Sequence, residues 1–136
     1  MKLSTLSFNL SISIATLLMP SAYAVDKIEN CQQSDDKALE RCYDGVIDSL
    51  DRELQTWVNH HVFNLEEKAL VNGRYSALKM FKRAQSNFIT FRENNCRWRY
   101  LAVSPEKGAS IAYKKCYINL SQARINSLTE QPATAQ

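Results

Sequence analysis

The residues best suited to metal binding are two adjacent histidines, His60 and His61, the only histidines in the chain. They lie in a segment with helical periodicity, and neighbouring residues of a helix point about 100° apart. The two rings therefore cannot share a metal ion, because helical metal ligands stand four residues apart. His61 falls among the apolar positions of this segment, so we interpret it as a packed histidine, with a ligand role as the alternative.

The same segment carries a row of carboxylates that could suggest acid–base catalysis. They are Asp44, Asp48, Asp51 and Glu53. No second segment supplies the opposing carboxylates that such catalysis needs, so a solvated or ion-paired helix face is the better interpretation. The chain also lacks a G-x-S-x-G motif, a phosphate-binding loop and a dinucleotide glycine pattern. We expect no enzymatic activity, no cofactor and no bound metal.

Four cysteines, Cys31, Cys42, Cys96 and Cys116, are separated by 10, 53 and 19 residues. An even number of cysteines in a small exported domain predicts two disulfides. Zinc binding is the alternative, but the C-x-x-C pairs typical of zinc sites are absent.

The first 24 residues predict export. Lys2 precedes an apolar run at 3–19, Pro20 breaks it, and the A-x-A motif at 22–24 fits signal-peptide cleavage after Ala24. The run is short for a membrane span, so we expect a periplasmic protein without a transmembrane segment after cleavage, with an uncleaved anchor as the alternative. The mature chain then comprises one domain at 25–128 and a tail at 129–136 that we expect to be disordered.

Charge is divided sharply between the two halves of the mature chain. Residues 25–67 contain 11 acidic and 4 basic residues, whereas residues 68–136 contain 12 basic and 3 acidic ones. The halves could neutralise each other by packing antiparallel, or the basic half could bind an acidic partner. The run Arg97-Trp98-Arg99-Tyr100 mixes cations and aromatic rings as nucleic-acid surfaces do, but no nucleic-acid motif accompanies it. We therefore favour mutual neutralisation and expect no nucleic-acid partner.

A long first helix follows from apolar positions spaced alternately three and four residues apart. These positions are Leu39, Tyr43, Val46, Leu50, Leu54, Trp57, His61 and Leu65. Ser34 or Asp35 can cap its start, and residues 25–33 before it are expected to be extended.

Two turn signals compete for the end of this first helix. Asn64 and Glu67 form a capping-box pattern, which would begin a new helix there. Asn72-Gly73 is the stronger turn pair, and we favour a reversal at that point.

A second, mainly basic helix is predicted from about residue 75 to 103, ended by Ser104-Pro105. Its expected buried side consists of Leu78, Phe81, Phe88 and Phe91, with Ala84 between them. Its remaining sides are expected to carry Lys79, Lys82, Arg83, Arg92 and Glu93. This helix needs an acidic partner, which the first helix supplies.

A third helix at about 109–128 completes the domain, with Ile111, Cys116, Leu120 and Ala123 as its expected buried side and Tyr113, Tyr117 and Leu128 at the flanks of that side. No stretch alternates as a strand does. The sequence therefore predicts an all-α, up-down-up bundle of three main helices stapled by two disulfides. Cys96 and Cys116 would stand at facing helix ends, which favours their pairing and leaves Cys31 with Cys42, although four cysteines allow three connectivities.

AQSNFITFR at 84–92 is similar to the pattern A-Q-x-x-W-I-x-F-R-D, and residues 116–124 are similar to C-x-x-x-L-T-x-x-R. Together with the spacing of the cysteines, these segments resemble the exported LprI-like family of bacterial lysozyme inhibitors. The motif positions are Asp51, Leu54, Gln85, Phe88, Arg92, Gly108 and Arg124, together with the four cysteines. Phe88 stands where tryptophan is common, and the segment between Gln55 and Phe81 is longer than usual.

This resemblance implies a small, exported, disulfide-bonded helical domain that binds lysozyme or another envelope protein. Common lysozymes are strongly basic, and the acidic face of the first helix offers candidate contacts. They are Asp36, Glu40, Asp44 and Asp48. Gln85, Arg92 and Arg124 fit hydrogen bonds between helices better than partner contacts. The alternative function is a structural or stress-related periplasmic protein whose basic half binds another envelope component.

Overall fold

The computed structural model describes residues 26–32 and 35–130, and these form only helices and connecting turns. A short α1 (Asp26–Glu29) precedes three long helices, α2 (Asp36–Asn72), α3 (Ser76–Val103) and α4 (Ala109–Thr129). The predicted bundle of three main helices is confirmed. The predicted targeting segment lies outside the described residues, as does the predicted tail from residue 131 onwards; Thr129 still belongs to α4.

The two ends of α2 are fixed by local chemistry. At its start, the Asp35 carboxylate accepts a hydrogen bond from the backbone N–H of Ala38 at 3.0 Å, as an N-cap does. At its end, Gly73 adopts a left-handed conformation with φ 68° and donates its N–H to the Ala69 carbonyl. The favoured reversal at Asn72-Gly73 is therefore confirmed, and Asn64 lies inside the helix.

The core forms where α4 packs against both α2 and α3, which contact each other much less extensively. The predicted apolar positions of α2 are all buried or half-buried. All of them except His61 and Leu65 belong to one core cluster with Ile118, Ile125 and Leu128 of α4. Leu50 is fully buried at the centre of this cluster. Burying such a side chain contributes about 2 kcal/mol by transfer from water alone.

Both predicted disulfides are present. Cys96 of α3 is joined to Cys116 of α4, and Cys31 is joined to Cys42 near the start of α2. The expectation of an extended lead-in is wrong, because residues 26–29 form α1. Cys31 donates its N–H to the Ile28 carbonyl at 3.1 Å just after this helix, so the segment folds back locally before the disulfide.

The predicted buried side of α3 is partly wrong. Leu78 is buried, and Phe81 and Phe88 are half-buried, but Phe91 is 54% exposed and Ala84 is also exposed. Arg92, expected on another side, is only 5% exposed. Arg92 lies four residues from Phe88 and from Cys96, which places it on their side of the helix.

The predicted buried side of α4 is also partly wrong. Cys116 is buried and Ile111 and Leu120 are half-buried against the core, but Ala123 is exposed. The buried residues of this helix are Cys116 together with Ala109, Tyr117, Ile118, Ser121, Ile125 and Leu128. Because α4 is covered by two helices, its buried surface is broad and includes polar residues.

Candidate functional site

Arg92 is the centre of a polar cluster that joins all three long helices. One of its terminal nitrogens donates to the Asp51 carboxylate of α2 at 3.1 Å and to the Ser121 hydroxyl of α4 at 2.8 Å. Its guanidinium also lies 3.8 Å from the centre of the Tyr117 ring. The Tyr117 hydroxyl donates to the same Asp51 carboxylate at 3.0 Å. This buried cation is therefore paired, hydrogen-bonded through one terminal nitrogen and stacked, which offsets the cost of burying its charge, although its Nε has no hydrogen-bond partner among the described residues.

The Tyr117 phenol is held in its neutral form by this cluster. Burial raises its pKa well above the ordinary value of 10.0; the nearby Arg92 cation opposes the rise, and the hydrogen bond to Asp51 adds to it. Because the folded-state pKa is raised, the associated stability is complete below pH 10 and is lost as the pH rises through the folded-state pKa.

We therefore expect the free energy of unfolding to fall more steeply above pH 10 for the unmodified protein than for Tyr117→Phe, which has no phenol at this position. Urea unfolding on either side of that pH, followed by circular dichroism, measures the difference. Identical pH dependence of the two proteins would contradict the assignment.

Two further motif residues form a second link between α3 and α4. Arg124 donates from Nε to the Gln85 side-chain carbonyl at 3.1 Å, and its guanidinium lies 5.6 Å from the centre of the Phe88 ring. Burial lowers the pKa of the Arg124 guanidinium, which nonetheless stays protonated at neutral pH. The interhelical hydrogen bonds anticipated for Gln85, Arg92 and Arg124 are thus present.

The other motif residues are also placed where they organise the bundle. Leu54 is buried in the core, and Gly108 adopts φ 98° immediately before α4, a conformation that favours glycine. Asp51, Phe88 and Arg92 meet in the polar cluster, which extends to Gln85 and Arg124 through the Phe88 ring. Sequence reasoning placed Tyr117 only at the flank of the buried side of α4 and missed Ser121. The four-residue spacing of these two residues on the inner side of α4 is the signal that could have found the pair.

The four candidate partner contacts lie along the first third of α2. Asp36, Asp44 and Asp48 are exposed, and Glu40 is half-buried. Lys114 of α4 lies 2.7 Å from the Asp44 carboxylate and 3.9 Å from that of Glu40. The expected neutralisation of the acidic half by the basic half therefore occurs here, and it also occurs between Asp51 and Arg92. The acidic face keeps its exposed carboxylates at Asp36 and Asp48.

The two histidines border a shallow cleft of about 390 Å³ between α2 and the end of α4. His61 is buried, and its Nε2 lies 2.8 Å from the Leu128 carbonyl, to which it can donate. His60 is exposed and contacts the Asn64 side chain. The interpretation of His61 as a packed histidine is supported, because its buried ring hydrogen-bonds a backbone carbonyl at the C-terminal end of α4. Carbonyls at this end of a helix lack partners within the helix.

The basic–aromatic run near the end of α3 is exposed along its whole length. Arg99 lies over the Trp98 ring at 5.3 Å, and the Trp98 indole N–H donates to the Asn95 side chain at 3.1 Å. These contacts hold Trp98 in one orientation on the surface.

Within residues 26–32 and 35–130 no group of three histidine, cysteine, aspartate or glutamate side chains could hold a metal ion. In the same part of the chain, no helix combines the length and apolarity needed to cross a membrane. The structure thus defines a small disulfide-bonded helical domain whose inner polar residues fasten the helices and whose candidate functional regions are outer surfaces.

The sequence matches the family described as lysozyme inhibitor LprI over residues 29–128, and the protein belongs to this family. The matched region includes both disulfides, the polar cluster and the acidic face. Searches of curated proteins and of solved structures found no match.

Proposed function

We propose that the mature chain is an exported envelope protein that binds lysozyme and inhibits it by covering part of its surface. Membership of the lysozyme inhibitor LprI family is the observation that carries this proposal. The two disulfides support an oxidising compartment such as the periplasm. Binding by a rigid surface fits a domain whose three long helices are joined by the Arg92 cluster and, between α3 and α4, by the Cys96–Cys116 disulfide.

The acidic face of α2 is the proposed contact with the enzyme. Asp36 and Asp48 are exposed at its two ends, and a basic lysozyme would be attracted to them. Lys37, Arg41 and Lys114 lie beside this face. We therefore expect the face to speed and orient association more than it raises affinity.

The direct test is titration of the oxidised mature domain into a lysozyme assay on cell-wall substrate, with several lysozyme types. We expect inhibition at micromolar concentrations, weakening as salt is raised. Full lysozyme activity at every inhibitor concentration and with every type would remove the proposal.

Charge variants locate the contact. We expect Asp36→Asn/Asp48→Asn to weaken inhibition by roughly 3- to 10-fold, since each exposed charge pair contributes about 0.5 kcal/mol or somewhat more. Glu67→Gln/Glu130→Gln is the matched control, because it makes the same change in net charge at two exposed positions near the opposite end of α2. Equal inhibition by the two double variants would place the contact elsewhere on the domain.

A second candidate function is supported by the exposed basic–aromatic run at residues 97–100. Such a surface suits an anionic envelope component, either lipid or polysaccharide, and the protein would then be structural or stress-related. Binding to anionic vesicles or polysaccharide that weakens steeply with salt, without any effect on lysozyme, would favour this alternative.

A further inference from the structure

The outward side of α3 carries uncharged residues at heptad spacing over four repeats. In heptad notation the a positions are Ala77, Ala84, Phe91 and Trp98, and the d positions are Met80, Asn87, Asn94 and Leu101. All eight residues are exposed, and they face away from the buried side formed by Leu78, Arg92 and Cys96. We call these eight residues the α3 seam.

The chemistry of the α3 seam is unusual for a solvent-exposed helix face. None of its residues is ionisable, and Met80, Phe91, Trp98 and Leu101 are each more than half exposed. Large apolar residues grouped on one face commonly mark an interaction site. A seven-residue apolar repeat is the pattern with which two helices pack around each other.

We propose that the α3 seam binds the α3 seam of a second copy of this chain, with the two helices parallel. In this arrangement each seam residue faces its own counterpart. Phe91 and Trp98 then stack against their equivalents, and the Asn87 and Asn94 amides, which both donate and accept, can hydrogen-bond to theirs.

A second copy suits the α3 seam better than a charged partner does. The seam presents no ionised group that a different protein would have to match. Burying the eight residues on both copies would remove roughly 1,200 Å² from solvent, which lies at the lower limit of specific interfaces. We therefore expect a dimer that dissociates in the micromolar range.

The flanking charges favour the parallel orientation. Arg83 and Arg97 occupy g positions at the edge of the seam, and Phe88 and Ala102 occupy e positions. A parallel pair brings each arginine beside an uncharged e residue of the second copy. An antiparallel pair overlapping the whole seam would instead bring Arg83 close to Arg97, and like charges in contact oppose association.

The surface between the two aromatic residues has the shape that such packing needs. Phe91 and Trp98 border an open concavity of about 500 Å³, which Asn87 and Asn94 also line. In paired helices a side chain of one helix enters a hole formed by four residues of the other. The Trp98 indole is already oriented by its hydrogen bond to Asn95, so less side-chain entropy is lost on association.

Sedimentation equilibrium of the oxidised mature chain across the micromolar range tests the proposal. We expect a mass approaching twice that of the monomer as concentration rises, and a monomer at all concentrations for Phe91→Glu/Trp98→Glu. Phe63→Glu/Val71→Glu is the matched control, because both residues are exposed on a different helix, α2, and neither belongs to the seam. This control should dimerise like the unmodified chain, and circular dichroism verifies that both variants remain folded.

A monomer at every concentration of the unmodified chain would overturn the proposal, as would a folded Phe91→Glu/Trp98→Glu variant that still dimerises.

Orientation is tested with Asn94→Cys under mild oxidation, with peptide mapping to verify the two native disulfides. A parallel pair places the two introduced thiols together and gives a covalent dimer. In an antiparallel pair, Ala84 of one copy would instead face Asn94 of the other. If Asn94→Cys alone failed to cross-link while a mixture of Ala84→Cys and Asn94→Cys chains cross-linked efficiently, the pair would be antiparallel and the parallel arrangement would be overturned. None of these results depends on lysozyme binding.

Discussion

Replacement of Arg92 by leucine is expected to lower the free energy of unfolding by about 3 kcal/mol, because it breaks a buried charge cluster by removing one partner. Ser121 is fully buried and would lose the hydrogen bond from Arg92, and Asp51 would lose its cation. Asp51 remains partly solvated, so water offsets some of the loss and the lower part of the usual range applies. Leucine also cannot reproduce the stacking of the guanidinium on Tyr117.

Urea unfolding followed by circular dichroism measures this effect. Arg97→Leu is the matched control, since it makes the same substitution at an exposed position of the same helix and should change stability by less than about 0.5 kcal/mol. Arg92→Lys should fall between the two, because an ammonium group keeps the charge but lacks the planar fork. If Arg92→Leu lowered the free energy of unfolding no more than the control does, the polar cluster would not be stabilising the bundle.

Removal of the Cys96–Cys116 disulfide by Cys96→Ala/Cys116→Ala should cost about 3 kcal/mol. The two cysteines are separated by 20 residues along the chain, and opening a loop of this length increases the entropy of the unfolded state. Cys96 is also fully buried where α3 meets α4, so the lost sulfur packing adds to the cost.

The matched control for this prediction is Cys31→Ala/Cys42→Ala. This second disulfide spans a sequence separation of 11 and ties down only the short α1 and its connection. We expect a smaller loss, with the three long helices still unfolding in one transition during chemical denaturation. A larger loss in the free energy of unfolding for the Cys31/Cys42 variant would contradict the expectation that the Cys96–Cys116 disulfide stabilises the domain more.

The sequence predicts α2 well because that helix buries a single stripe, from Leu39 to Leu65, and its caps are local. The turn at Gly73 is also predictable from local sequence, because the left-handed backbone conformation that ends α2 is one that glycine adopts readily. The disulfide pairing followed from placing Cys96 and Cys116 at facing helix ends. These features depend on residues close together in the chain or on simple helix periodicity.

Other features depend on contacts between distant helices, and the sequence pattern misplaces them. Arg92 is a cation that periodicity assigns to a surface, yet Asp51 and Ser121 from two other helices make its burial favourable. Phe91 is apolar and periodicity assigns it to the core, yet the next residue, Arg92, is the buried one and Phe91 is exposed. In the same way, the acidic face of α2 is visible in the sequence, but its partial neutralisation by Lys114 requires the packing of α4.

We propose above that this domain recognises lysozyme through a preformed surface. Calorimetric titration of the oxidised mature domain into purified lysozymes tests it most directly, with residual lytic activity measured on the same mixtures. The account predicts a saturable complex whose formation and loss of lytic activity share one midpoint. The absence of binding to every lysozyme at micromolar concentrations, with lytic activity intact, would contradict it.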